Sequence, residues 1–187
     1  DNLLKKAKNF EDQGEWLSAI DCYNTYLNIK PNDKPILHQL AITAVKAQEY
    51  EKAATALKKL TQLEPNAAIF QNHLGNVLKK LKQFEASEQA YLQALKHNPT
   101  FEEAYNNLGV LYFSQALLEK SERFYLKALA ISPEYIDALY NLGLSYVKQS
   151  KASAAIKTFK KLLAYKKPKS KTETASKASS IAPPSSP

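Results

Sequence analysis

Along most of this chain the apolar residues fall three and four apart, the spacing that aligns side chains on one face of an α-helix. From Phe101 to Tyr112 the set is Ala104, Tyr105, Leu108, Leu111 and Tyr112. After a break near Gln115, a second stripe follows at Leu118, Ser121, Tyr125, Ala128 and Leu129. Ser132-Pro133 closes it, because proline has no amide hydrogen to donate and its ring collides with the preceding turn. The pattern predicts two short amphipathic helices joined by a tight turn, and it recurs. Pro31, Pro65, Pro99 and Pro133 stand 34 residues apart, and Gly75, Gly109 and Gly143 keep the same interval. Pro168 falls one residue beyond the next expected position. Two residue types that share one period define a repeat.

The glycines need a cause, since a glycine inside a helix costs about 1 kcal/mol relative to alanine. Close approach of two helices supplies one: any side chain there would collide with the neighbour. Ala7 and Ala41, the next smallest choice, hold that phase in the first two repeats. On the second helix Ala19, Ala53, Ser87, Ser121 and Ala155 recur at one phase, with bulky Trp16, Tyr50, Phe84 and Leu118 beside them. Small and large residues alternate as a close-packed core requires.

At these positions the chain resembles the tetratricopeptide repeat family, whose signature is an aromatic, Leu-Gly and Tyr, then Ala, Phe and Pro. The fourth repeat meets it at Tyr105, Leu108-Gly109, Tyr112, Ser121, Tyr125, Ala128 and Pro133. The third does so at Leu74-Gly75, Phe84, Tyr91, Ala94 and Pro99, and the fifth at Leu139, Leu142-Gly143, Tyr146, Ala155 and Phe159. The first two diverge but stay in register: Phe10, Trp16, Ala19, Tyr23 and Pro31, then Leu40-Ala41, Tyr50, Ala53 and Pro65. The resemblance implies an all-α fold, a right-handed α-α superhelix of helix-turn-helix repeats. Its expected units are residues 1–33, 34–67, 68–101, 102–135 and 136–166. Residues 167–187, rich in Lys, Ser and Pro, are expected to be a flexible tail or linker.

Tetratricopeptide arrays are interaction modules, and the resemblance implies that the first helix of each pair lines a concave groove that seats an extended peptide or partner segment. With core-facing positions set aside, the third repeat offers Asn72, His73, Asn76 and Lys80. The fourth offers Asn106, Asn107, Val110 and Phe113; the fifth offers Tyr140, Asn141, Leu144, Val147 and Lys148. An asparagine amide both donates and accepts hydrogen bonds, so it can hold a peptide backbone without selecting side chains. Asn107 and Asn141 share a phase that His73 interrupts, which is similar to the asparagine ladder in the tetratricopeptide arm of O-linked N-acetylglucosamine transferases. The alternative is that these amides solvate an exposed face or tie neighbouring repeats. Val110, Phe113, Tyr140, Leu144 and Val147 are expected either to add an apolar pocket or to pack between repeats. A carboxylate clamp for chaperone C-termini is not expected. Asn76 and Asn107 fit its asparagine columns, but Asn72 stands where its first lysine belongs, and Asp137 and Asn141 replace its basic pair. Cations are what hold a terminal carboxylate.

Other chemistry finds little support. His38, His73 and His97 lie about one repeat apart, without acid or nucleophile partners at any motif spacing. Cys22 is the only cysteine and reads as a small packed residue, so neither a disulfide nor a metal cofactor is expected. The net charge of +8 is uneven: from Lys166 onward five lysines against Glu173 account for +4. Elsewhere lysines scatter over outward faces (Lys58-Lys59, Lys79-Lys80, Lys160-Lys161) and Arg123 is the only arginine, so no nucleic-acid partner is expected. No apolar run approaches the roughly 18 residues of a membrane span, and no signal-peptide pattern is visible, so a cytoplasmic location is expected. The chain lacks methionine and begins at Asp1, so a piece of a longer protein is expected. The expected function is a non-enzymatic protein-binding scaffold. The alternative is the substrate-recruiting arm of a larger glycosyltransferase or methyltransferase.

Overall fold

A computed structural model describes residues 2–166, and the expected tail lies outside the described residues. They form helices and turns, with no strand among them. The helices are α1 (Asn2–Asp12), α2 (Trp16–Ile29), α3 (Lys34–Lys46), α4 (Tyr50–Leu63), α5 (Ala68–Lys80), α6 (Phe84–His97), α7 (Glu102–Ser114), α8 (Leu118–Ile131), α9 (Ile136–Lys148) and α10 (Ala152–Lys166). Each odd-numbered helix packs on the even-numbered helix that follows, and each pair packs on the next.

The turn inside every pair has one construction. Gly14, Gln48, Lys82, Ala116 and Ser150 occupy the same phase and all have left-handed backbone, with φ between 57 and 76°. The amide after each reaches back five residues to a carbonyl: Glu15 to Phe10, Glu49 to Ala44, Gln83 to Leu78, Leu117 to Tyr112 and Lys151 to Tyr146, at 2.8–2.9 Å. This Schellman closure satisfies carbonyls that the helix end leaves free. Only Gly14 adopts it without a Cβ penalty. The second helices stop differently. Lys30, Glu64, Asn98 and Ser132 turn extended, with φ from −124 to −134°, because each precedes a proline.

Close approach does explain the phased glycines. A Cβ on Gly75 would lie 2.5 Å from the Tyr91 ring, one on Gly109 2.4 Å from the Tyr125 ring, and one on Gly143 2.5 Å from the Phe159 ring. Tyr91 and Tyr125 are fully buried and have nowhere to retreat. Repeat 2 sets Ala41 and Leu57 at the same two phases, an extra methyl on one side and a smaller side chain on the other. Repeat 1 sets Ala7 and Tyr23 there, with Ala7 on a helix that packs mainly against α2 and reaches α3 through Glu11, which accepts from Gln39 and Thr43. The small residues of the second helices are buried as well, and Ser87 Oγ donates to the Gly75 carbonyl at 2.8 Å across the pair.

Stacking supplies the remaining burial. Leu27, Leu95 and Leu129 share a phase and are 9% exposed under the next pair, whereas Leu163, at that phase of α10, is 58% exposed. Among the described residues, first helices meet each other along the stack (α5 with α7, α7 with α9) more closely than second helices do. That asymmetry curves the array and puts the odd-numbered helices on its concave side.

Two stability changes follow. Gly109→Ala should destabilise the array by about 2 kcal/mol through overpacking, and by less in a Tyr125→Leu background, which imitates repeat 2. Chemical denaturation of the four proteins in the cycle reads this coupling. Ala116→Gly should raise stability by about 0.5–1 kcal/mol by relieving the left-handed backbone, less the added freedom of the unfolded chain.

Candidate functional site

Two adjacent positions of the first helices decide how neighbouring repeats meet on the inner face. One carries His38, Asn72, Asn106 and Tyr140; the next carries Gln39, His73, Asn107 and Asn141. Asn107 Nδ2 donates to Asn72 Oδ1 at 3.0 Å, and Asn141 Nδ2 donates to Asn106 Oδ1 at 3.0 Å. Asn72 Nδ2 in turn donates to Glu103 Oε1 at 2.9 Å. A polar group enclosed between helices without a partner costs about 1–3 kcal/mol, and these amides satisfy one another. Sequence spacing places Asn72 and Asn106 on the groove wall. The structure buries both, at 0% and 5% exposure, as ties between repeats. Asn107 and Asn141 are half-buried, and each keeps its Oδ1 and second N–H uncommitted among the described residues.

Between α3 and α5 the same two positions are His38 and His73. Their rings stack with centroids 5.5 Å apart, and the His38 ring meets Phe70 at 5.3 Å near edge-on. His38 Nε2 is enclosed and has no hydrogen-bond partner among the described residues. Two rings need more room than two amides, and α3 and α5 approach less closely than α5 and α7 or α7 and α9. A cavity of about 290 Å³ opens there. Ala41, Ile42, Val45, Leu57, Val77 and the Tyr50 ring form its walls; His38, His73, Asn76, Lys46 and Lys80 complete its lining. Tyr91 Oη donates to Asn76 Oδ1 at 2.7 Å, which fixes that amide from below. Lys46 Nζ stands 4.8 Å from the Trp16 ring centroid, a cation–π contact that holds it at the rim. Burial, and then neighbouring Lys80, push the Lys79 ammonium below the usual lysine range.

Of the residues expected to line a groove, His73, Asn76 and Lys80 meet in this cavity. His38, Ile42, Val45 and Lys46 complete it without having been singled out. Their signal was present, because they precede Asn72, Asn76, Lys79 and Lys80 by one period. Further along, Phe113 is half-buried beneath Lys148 Nζ at 5.5 Å, Leu144 is half-buried and Val147 is exposed. Val110 packs against the core around Tyr125 and Leu139. Tyr140 leans on the Phe159 ring at 6.4 Å in the last described pair, at the phase that a following repeat covers in Asn72 and Asn106.

No group of three or more His, Cys, Asp or Glu among the described residues is arranged to hold a metal, and no described helix is long and apolar enough to cross a membrane.

Family profiles described as TPR repeat or tetratricopeptide repeat match residues 38–86, 76–115 with 123–150, 102–135, and 137–165. Together they run from residue 38 to residue 165 without a gap. Among curated proteins none matches the chain. A crystal structure of MamA superposes with a TM-score of 0.74 at 27% identity, covering 91% of this chain and 96% of that one. MamA 41-end from Desulfovibrio magneticus RS-1 gives 0.72 at 25%, covering 85% and 90%. YrrB, described as a TPR protein with an unusual peptide-binding site, gives 0.64 at 19%, covering 94% and 90%, a likeness of fold alone.

The histidine pair has a consequence for stability. Burial first, and then His38, lower the His73 pKa below its ordinary value, with Glu103 opposing. The folded chain therefore takes up a proton at His73 less readily than the unfolded chain. This contribution is complete above about pH 6.5 and is lost as pH falls through and below that value. The thermal midpoint should drop between about pH 7.5 and about pH 5.5. The drop should be smaller in His38→Asn/His73→Asn, which rebuilds the amide pair of the later repeats. Equal drops in both proteins would place the source elsewhere.

Proposed function

The chain belongs to the tetratricopeptide repeat family, and from that premise we propose that its concave face is a trough for an extended segment of a protein partner. Tetratricopeptide proteins are in general non-catalytic scaffolds, and the inner face offers adhesive chemistry in place of a reactive centre. The observation that carries the reading is the cleft between α3 and α5. It is an apolar cavity with exposed Ile42 and Val45 on the same side of the stack as Asn107, Phe113, Asn141, Leu144 and Lys148. Aliphatic side chains set beside polar groups at a concave surface are the usual composition of a ligand site.

Along the rest of the trough, Asn107 and Asn141 are the groups suited to a peptide backbone, since each retains an acceptor and a donor after tying its neighbour. Their role as ties means that truncating them would also strand the buried oxygens of Asn72 and Asn106. A test through exposed residues avoids that confusion. YrrB, which shares the fold, supplies a precedent for peptide binding.

Ile42→Arg/Val147→Arg places two long cations on the trough floor, and Leu126→Arg alters a similarly exposed apolar residue on a second helix. Affinity purification from source cells should recover partners with the wild-type chain and with Leu126→Arg. Recovery should fall about tenfold or more with the trough variant. Equal recovery with all three proteins would dismiss the trough as the binding face.

A further inference from the structure

Resting on the trough reading, we infer the chemistry of the segment that fills the α3–α5 cleft: a bulky aliphatic or aromatic side chain with acidic residues beside it. A cavity of about 290 Å³, at the lower end of the range of about 300–1,000 Å³ for ligand pockets, has room for one bulky side chain of a segment laid along the trough. Its walls are aliphatic apart from Tyr50, and Ile42 and Val45 stay 38% and 41% exposed. Covering two adjoining apolar side chains of that kind is the main energetic gain open to an occupant.

Charge then decides what accompanies the anchor. The lining holds Lys46, Lys80, His38 and His73, and no acidic residue. Neither lysine takes part in an ion pair among the described residues. They share one phase, a repeat apart, so the cavity has a cation on α3 and another on α5. Two cations on neighbouring helices suit side-chain carboxylates on either side of the anchor better than one terminal carboxylate. Lys46 is already held against Trp16, so less freedom is lost when it meets an anion. Between the later repeats the combination is lost: asparagine pairs replace the rings, and Ser114 at the lysine phase of repeat 4 separates Lys80 from Lys148, so no adjacent first helices both carry a lysine there.

The test is selection of a phage-displayed library of random dodecapeptides, fused through their C-termini so that no terminal carboxylate is free, on the whole chain. Recovered sequences are resynthesised with amidated and with free C-termini and titrated by fluorescence anisotropy. Sequences with Asp or Glu within two positions of Leu, Ile, Phe, Tyr or Trp are expected. Their affinity should fall about tenfold or more in Lys46→Glu/Lys80→Glu, weaken with added salt, and change little in Lys58→Glu/Lys96→Glu, which reverses two exposed lysines of second helices. Lys46 and Lys80 are exposed, and circular dichroism checks that the variant remains folded. Neutral or basic sequences, a requirement for the free terminus, or indifference to Lys46→Glu/Lys80→Glu would overturn the acidic-anchor inference. If such peptides were still lost in Ile42→Arg/Val147→Arg, the trough reading would survive. Recovery of no binding peptide would overturn both.

Discussion

Each helix pair in this chain carries more apolar surface than its two helices can cover between themselves, and the shortfall is made good by the neighbouring pair. The leucine phase shows the dependence, being enclosed at Leu27, Leu95 and Leu129 and exposed at Leu163, where no described pair follows. Burying a leucine is worth about 1.5–3 kcal/mol, so neighbour-to-neighbour contact is a principal source of stability in such an array. Stacking also requires every pair to have nearly the same thickness. The glycine–aromatic contacts provide that by setting how closely α5 and α6, α7 and α8, and α9 and α10 approach. A larger residue at one of those glycines would disturb its own pair and the surfaces it presents on either side.

Within this regular frame, polar contacts between first helices set the local shape of the concave face. Amide pairs join α5 to α7 and α7 to α9 with small, mutually satisfied groups. Imidazole rings take over between α3 and α5, stack without hydrogen-bonding each other, and leave an enclosed nitrogen beside a cavity. The binding site proposed for this chain therefore lies where the repeat departs from its own pattern. The same departure makes that junction sensitive to protonation, because a buried imidazole takes up a proton less readily than a free one.

The fold was largely legible in the chain. A period shared by proline and glycine, with amphipathic stripes between them, specified paired helices, and the phase of Gly75, Gly109 and Gly143 correctly marked close approach. The left-handed turns were harder to see, since Gln48, Lys82, Ala116 and Ser150 lack the glycine that advertises such a backbone at Gly14. Helical phase named the face on which Asn72, Asn106, Asn107 and Asn141 lie but did not separate amides that bond the next repeat from amides that meet solvent. Asn72 and Asn107 occupy adjacent phases, one fully buried and the other half-buried. Periodicity is a property of one helix, so local sequence could determine which residues share a stripe and where each helix begins and ends. The distance and tilt between successive first helices depend on side chains a full repeat apart. Only the assembled stack decided that His38 and His73 would meet, that the helices around them would stand apart, and that Lys46, Ile42 and Lys80 would border one cavity.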